Sequence, residues 1–138
     1  MTAGLIALVA ALAVATAAGL TWRQRNGRMR RRGTGARPGL NSAEIGGPLG
    51  SRATLLQFSS AFCAPCRATR GVLAEVAGMT DGVAHLEIDA ESHLDLVRRL
   101  DVRRTPTVFV LGPDGSIAHR ASGQPRKADV IAALGEVT

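Results

Sequence analysis

Only two cysteines occur in the chain, and both fall within Phe62-Cys63-Ala64-Pro65-Cys66-Arg67. None is left over for structural staples, so the folded part needs an ordinary apolar core, which about 95 residues can supply. That cysteine count suits a reducing or an oxidising compartment equally. No acidic residue precedes Glu44, and no Lys or Arg precedes Arg23. Seven of the 17 basic residues are Arg23, Arg25, Arg28, Arg30, Arg31, Arg32 and Arg37; beyond them ten basic residues face eleven acidic ones, a net of −1. The formal charge of +6 and the pI near 11.2 therefore belong to the first 37 residues. They describe no binding face of the folded part, so a nucleic-acid-binding domain loses its main support. The arginine run also lacks the interleaved aromatics that stack on bases, which weakens its reading as an RNA- or DNA-binding arm. There is no second C-x-x-C, and His85, His93 and His119 have no finger-like spacing. Both absences count against a zinc site. No internal repeat is visible.

Residues 3–22 run without a charge and end on Trp22, with the arginines following at once. About 20 apolar residues suffice to cross a bilayer as a helix, and an indole at its end prefers the headgroup layer. A cleaved signal peptide is the competing reading, and Ala15-Thr16-Ala17 has the form of a cleavage site. No positive residue precedes the apolar run, as a signal peptide would require, so a retained single-pass anchor over 1–22 is preferred. By the positive-inside rule the arginines place everything after Trp22 on the cytoplasmic side. Residues 23–41 are Arg-, Gly- and Pro-rich and read as a disordered tether whose 23–37 arginine run lies against anionic membrane lipids.

The remainder, 42–138, reads as one α/β domain. Ser42 caps a short helix that Gly46-Gly47-Pro48 ends. Strands are predicted over 53–59, 84–89, 107–111 and 116–120, the last two joined as a hairpin through Gly112-Pro113-Asp114-Gly115. Helices are predicted over 64–78, over 94–100 with Ser92 as cap, and over 126–135. The order β-α-β-α-β-β-α implies a mixed four-stranded sheet with helices on both faces.

The strand over 53–59 thus delivers a C-x-x-C to the first turn of a helix, which is a redox geometry. Unpaired N–H groups and the positive dipole end favour an anion there, so Cys63 should lose its proton more readily than a free thiol. Pro65 fits the first helical turn, where its missing N–H costs nothing. Cys66, one turn further in, is placed to attack a mixed disulfide formed on Cys63.

Three motifs in this order resemble the thioredoxin family, over about residues 50–135. Gln57-Phe58-Ser59-Ser60-Ala61-Phe62-Cys63-Ala64-Pro65-Cys66 is similar to its strand and active-site segment. Val102-Arg103-Arg104-Thr105-Pro106-Thr107 is similar to its cis-proline segment, and Ser122-Gly123 to its glycine loop. The lack of a long insertion between Cys66 and Pro106 resembles thioredoxin itself more than the cytochrome-maturation relatives. The resemblance implies a cis Thr105–Pro106 bond that exposes the backbone of Thr105 to an extended substrate, with Gly123 allowing close approach. An ordinary trans proline at the start of a strand is the plainer alternative. Two positions depart from the family pattern. Phe62 stands where a tryptophan is usual, and Gln57 stands where members often carry a buried aspartate, which an amide cannot replace in acid–base work. His85 occupies the position of a lysine near that aspartate and is either a proton relay or a partly buried structural histidine. Arg67 and Arg104 flank the motif, as aids to the Cys63 thiolate or as solvated charges. His93 and His119 read as surface residues.

The expected function is a membrane-anchored thiol–disulfide oxidoreductase that reduces protein disulfides through a Cys63/Cys66 dithiol–disulfide cycle. It implies no metal or organic cofactor, and it requires a reductase or membrane electron donor. The alternatives are an outward-facing thiol oxidant or apocytochrome-type disulfide reductase, since many anchored redox domains of this kind face outward, and a non-catalytic binding module of the same fold.

Overall fold

The computed structural model describes residues 2–31 and 39–137. In chain order they form helix α1 (Thr2–Arg25), strand β1 (Arg30–Arg31), one-turn helix α2 (Ser42–Ile45), strand β2 (Ala53–Ser59), helix α3 (Ala64–Met79) and strand β3 (Val83–Asp89). A 3-10 turn (Ala90–Ser92), helix α4 (Leu94–Arg99), strands β4 (Thr107–Leu111) and β5 (Ile117–Ser122) and helix α5 (Lys127–Val137) complete the chain.

Every residue of β2 is buried, as a strand covered on both faces must be. It occupies the interior of a sheet ordered β1-β5-β4-β2-β3. α3 makes the crossover that pairs β2 with β3 in parallel, and all other neighbours are antiparallel. Alternation along β2 sends Leu56 and Phe58 into a core with Leu40, Ile45, Ile88, Leu96 and Phe109. Ala53 and Leu55 point the other way, into a core with Leu73 and Val76 of α3 and Val130 and Leu134 of α5. Phe58 meets Phe109 edge-on, with ring centroids 5.7 Å apart and planes at 78°.

The sheet has five strands rather than the expected four, and the extra strand comes from the expected tether. α1 continues to Arg25, the Gly27 N–H donates to the Ser122 carbonyl over 2.8 Å, and Arg30 and Arg31 pair with Arg120 and His119. Without β1, the outer N–H and C=O groups of β5 would form an open sheet edge, so pairing there satisfies backbone groups that the local sequence does not announce. Leu40 is buried and its N–H donates to the Gly115 carbonyl, so ordered structure also begins before residue 42. The rest of the expected tether, 32–38, lies outside the described residues.

Two caps differ from expectation. Asn41, not Ser42, caps α2, in a reciprocal box with Glu44 at 2.9 Å each way. Ser92 does not cap α4, because its hydroxyl donates to Asp89 over 2.6 Å, and Asp89 caps the preceding 3-10 turn. His119 is buried rather than on the surface; its Nε2 lies 3.2 Å from a carboxylate oxygen of Glu136 on α5. His93 is exposed, with Nδ1 3.0 Å from the Asp89 carbonyl.

α1 is exposed along its whole length, and its 24 residues are long and apolar enough to cross a membrane. At 1.5 Å per residue it spans about 36 Å, against a hydrocarbon core of about 30 Å.

Candidate functional site

Cys63 and Cys66 are joined as a disulfide at the start of α3. Cys63 is the cap residue of that helix, half-exposed, and its sulfur accepts the Cys66 N–H over 3.2 Å. Cys66 is only 1 % exposed, one helical turn further in. The pair is therefore asymmetric, with an outer sulfur at the helix N-terminus and an inner one behind it. Ala64 and Pro65 form the first helical turn between them. Phe62 stands in the left-handed region with φ 58° and its ring fully in solvent. A bulky residue rarely adopts that backbone conformation, and here it turns the chain from β2 into the cap while leaving an uncovered aromatic beside Cys63.

Beneath the pair lies Gln57, fully buried in β2. Its Nε2 donates to the Cys66 carbonyl and to Ser59 Oγ, 2.9 Å each, which leaves Oε1 to accept from His85 Nε2 over 3.2 Å. That contact places the His85 proton on Nε2. Burial is the main cause pushing the His85 pKa down; Glu87 opposes it and Arg70 adds to it. His85 is thus neutral at pH 7, and it touches Gln57 rather than a cysteine. Arg70 of α3 clamps Glu87 of β3 with two bonds of 2.6 and 2.8 Å, and this clamp, with help from the Ser59 hydroxyl, holds the Glu87 carboxyl below the usual range. A polar row therefore runs under the helix from His85 through Gln57 and Ser59 to Glu87 and Arg70. Sequence reasoning singles out its first two members. It misses Ser59, Glu87 and Arg70, although Arg70 one turn beyond Cys66 and the polar alternation of β3 are visible signals.

The Thr105–Pro106 bond is cis. Thr105 Oγ1 lies 2.7 Å from Ser60 Oγ, which ties this loop to the segment leading into Cys63. The Gly123 N–H donates to the Pro106 carbonyl over 2.7 Å, so the three predicted site segments do meet. Arg104 Nη2 donates to the Ser122 carbonyl and to Asn26 Oδ1, 2.5 Å each, and Arg67 is exposed. Gly123 has φ +98°, and a Cβ there would lie 2.2 Å from Asn26 Oδ1. The close approach expected at Gly123 is thus made by the chain's own Asn26, a residue that no local signal marks. Among the described residues no group of three or more His, Cys, Asp or Glu side chains is placed to hold a metal ion.

Residues 48–136 match the family model for thioredoxin. Thioredoxin H4-1 of Oryza sativa subsp. japonica is 37% identical over 57 residues, 41% of this chain and 44% of that protein. Thioredoxin H2-1 of the same organism is 32% identical over 73 residues, 53% of this chain and 52% of its own length. The chain thus spans about half the length of these relatives. Among solved structures, a mutant thioredoxin from Halobacterium salinarum superposes with a TM-score of 0.58 at 23% identity, covering 64% of this chain and 76% of that one. A Schistosoma mansoni thioredoxin pre-protein superposes with a TM-score of 0.56 at 16% identity, covering 64% and 82%. At these identities the two structures speak for the fold alone.

Proposed function

The chain belongs to the thioredoxin family, and from that premise we propose that it is a membrane-anchored thiol–disulfide oxidoreductase that reduces protein disulfides. The observation that carries the reading is the asymmetric pair, with Cys63 half-exposed on the cap of α3 and Cys66 buried behind it. The bonded pair corresponds to the oxidised end of the cycle. Starting from the dithiol, the Cys63 thiolate attacks one sulfur of a substrate disulfide and releases the other as a thiolate, which takes up a proton. Cys66, losing its own proton, then attacks Cys63 and releases the second substrate thiol. Two electrons pass to the substrate, and a reductase or membrane electron donor returns them to Cys63–Cys66.

The N–H of Cys66 and the start of α3 stabilise the Cys63 thiolate of the reduced pair, before the first attack. Gln57 takes no proton; it holds the Cys66 carbonyl and hence the first turn of α3. Thr105, beside Pro106, offers its backbone to an extended substrate segment, and the uncovered Phe62 ring supplies apolar contact on the other side of Cys63. α1 serves as the anchor, and the arginines that follow it hold the domain on the cytoplasmic side against anionic lipids. In that compartment reduction is the expected direction.

Equilibrating the full chain in nanodiscs against a dithiothreitol or glutathione series gives the potential of the pair. A value near about −270 mV supports a reductase, and one near about −120 mV makes the protein an outward-facing oxidant. If no disulfide–dithiol equilibrium exists at any poise, the non-catalytic binding reading replaces both. The full chain is needed because Leu40 and β1 belong to the folded structure.

A further inference from the structure

Six guanidiniums line one pocket of about 460 Å3 beside the cis-proline loop. Arg25, Arg28 and Arg30 come from the end of α1 and the segment after it, Arg103 and Arg104 from the loop before Thr105, and Arg120 from β5. Among the described residues the lining contains no carboxylate. Asp101, next to it, pairs with Arg103 at 3.0 Å and offsets one charge. Arg104 is held by two uncharged acceptors, the Ser122 carbonyl and Asn26 Oδ1, which aim it without cancelling its charge. Arg120 donates to the carbonyls of Leu100 and Asp101 and lies over the Phe109 ring, 5.3 Å from its centroid. The β1–β5 register also sets Arg30 directly opposite Arg120. Like charges facing each other across an antiparallel pair oppose the pairing, and an anion between them reverses the sign.

We propose that this pocket receives acidic side chains of the substrate protein, so that the chain acts preferentially on disulfides flanked by Asp or Glu. The inference rests on the disulfide-reductase reading above and adds a substrate class to it. Arg103 and Arg104 immediately precede Thr105, whose backbone the substrate segment meets in that reading. At about 3.3 Å per residue, an extended segment running antiparallel to this loop passes both arginines within two residues of Thr105. A carboxylate at that distance meets guanidinium forks from the loop, from β5 and from the segment after α1. An anionic lipid headgroup carries similar charge, and Arg25 and Arg28 lie close to the end of α1. Half of the guanidiniums nevertheless stand on the folded domain, with Arg104 bonded to Ser122 next to Gly123, which favours a peptide.

The test uses the pre-reduced full chain in phosphatidylcholine nanodiscs and two disulfide peptides of equal length, one with Asp and Glu around its cysteines and one with Asn and Gln. Release of peptide thiol in a single turnover is followed by chromatography. At low salt the acidic peptide should react about fivefold faster or more, because complementary charge raises the encounter rate, and salt should erode the difference. In R25Q/R28Q/R30Q the ratio should fall to within about twofold, whereas Arg98→Gln, which removes a single charge on α4 away from the pocket, should keep it. Equal rates in the unchanged chain, or a preference that survives the triple substitution, overturns the inference while the reductase reading stands. Equal rates combined with a dependence of the rate on phosphatidylserine in the nanodisc, present in the unchanged chain and lost in the triple variant, assigns the pocket to headgroups and likewise overturns it. Failure to reduce either peptide removes the reductase reading, and the inference with it.

Discussion

Gln57 Nε2 donates to the backbone carbonyl of Cys66 over 2.9 Å, so a fully buried amide stands directly beneath the inner cysteine. The same amide joins His85 to Ser59, and both ends of the arrangement depend on it. Gln57→Leu keeps much of the volume but leaves the Cys66 carbonyl and Ser59 without their donor. We expect a loss of about 1–3 kcal/mol in denaturant unfolding, the usual cost of an orphaned buried polar group. An unchanged midpoint would mean that water or a neighbour replaces the amide.

His85 gives the protein a pH dependence of definite sign. Burial lowers its pKa in the folded state from the ordinary value of 6.5, so the unfolded chain binds the extra proton first. Stability should therefore decline as pH falls below about 6.5 and go on declining until the folded-state value is passed. His85→Gln should flatten that part of the curve, and thermal melts from pH 5 to 8 read it directly. Glu87 contributes in a separate window, since Arg70 lowers its pKa from 4.5: its contribution is present above that value and is lost as pH falls through the folded one.

A relay role for His85 makes a different demand. If the neutral imidazole moves a proton for Cys66, His85→Ala should slow thiol–disulfide exchange between about pH 6.5 and 8, and the deficit should shrink below about pH 6.5 as the folded-state imidazole takes up its proton. Rates that match the unchanged chain throughout that range would leave His85 as a support for Gln57 alone.

The two cysteines should fail in different ways. Cys63→Ser should abolish disulfide reduction, because no thiolate remains on the exposed side of the pair. Cys66→Ser should instead stall with substrate bound to Cys63, visible as a mixed disulfide on a non-reducing gel. Turnover by Cys63→Ser would sink the mechanism.

Gly123→Ala combines two costs, since φ +98° disfavours a side chain and the new Cβ would fall 2.2 Å from Asn26 Oδ1. A destabilisation of about 1–3 kcal/mol is expected. Asn26→Gly in the same chain should recover only the contact portion, and a double-mutant cycle isolates that coupling. Strict additivity would mean that Asn26 does not lie over Gly123.

Most of the domain is legible locally. Strands β2 and β4 begin and end where their apolar, β-branched and aromatic runs do, and α3 starts where Pro65 and a capping residue allow it. Those features depend on backbone preferences and burial patterns a few residues long. The cap of α2 lies one residue from its expected place because Asn41 and Ser42 are both good caps, and only the reciprocal contact with Glu44 decides between them. His119 reads as a surface residue because β5 alternates weakly, yet it is buried, opposite Arg31 of β1 and 3.2 Å from Glu136, 17 positions away on α5.

The chain's own residues carry the redox pair, its place at a helix start and the apolar span before it, since each is a property of neighbouring positions. Tertiary structure decided that Asn26 covers Gly123, that Arg30 faces Arg120, and that Gln57 reaches Cys66, His85 and Ser59 together. Apart from Gln57–Ser59 and Gln57–Cys66, these contacts join residues that are far apart in sequence, and they exist because β5 needed an edge partner and a buried amide needed partners for its N–H and C=O groups. Such demands arise only once the sheet has formed, which is why no local pattern announced them.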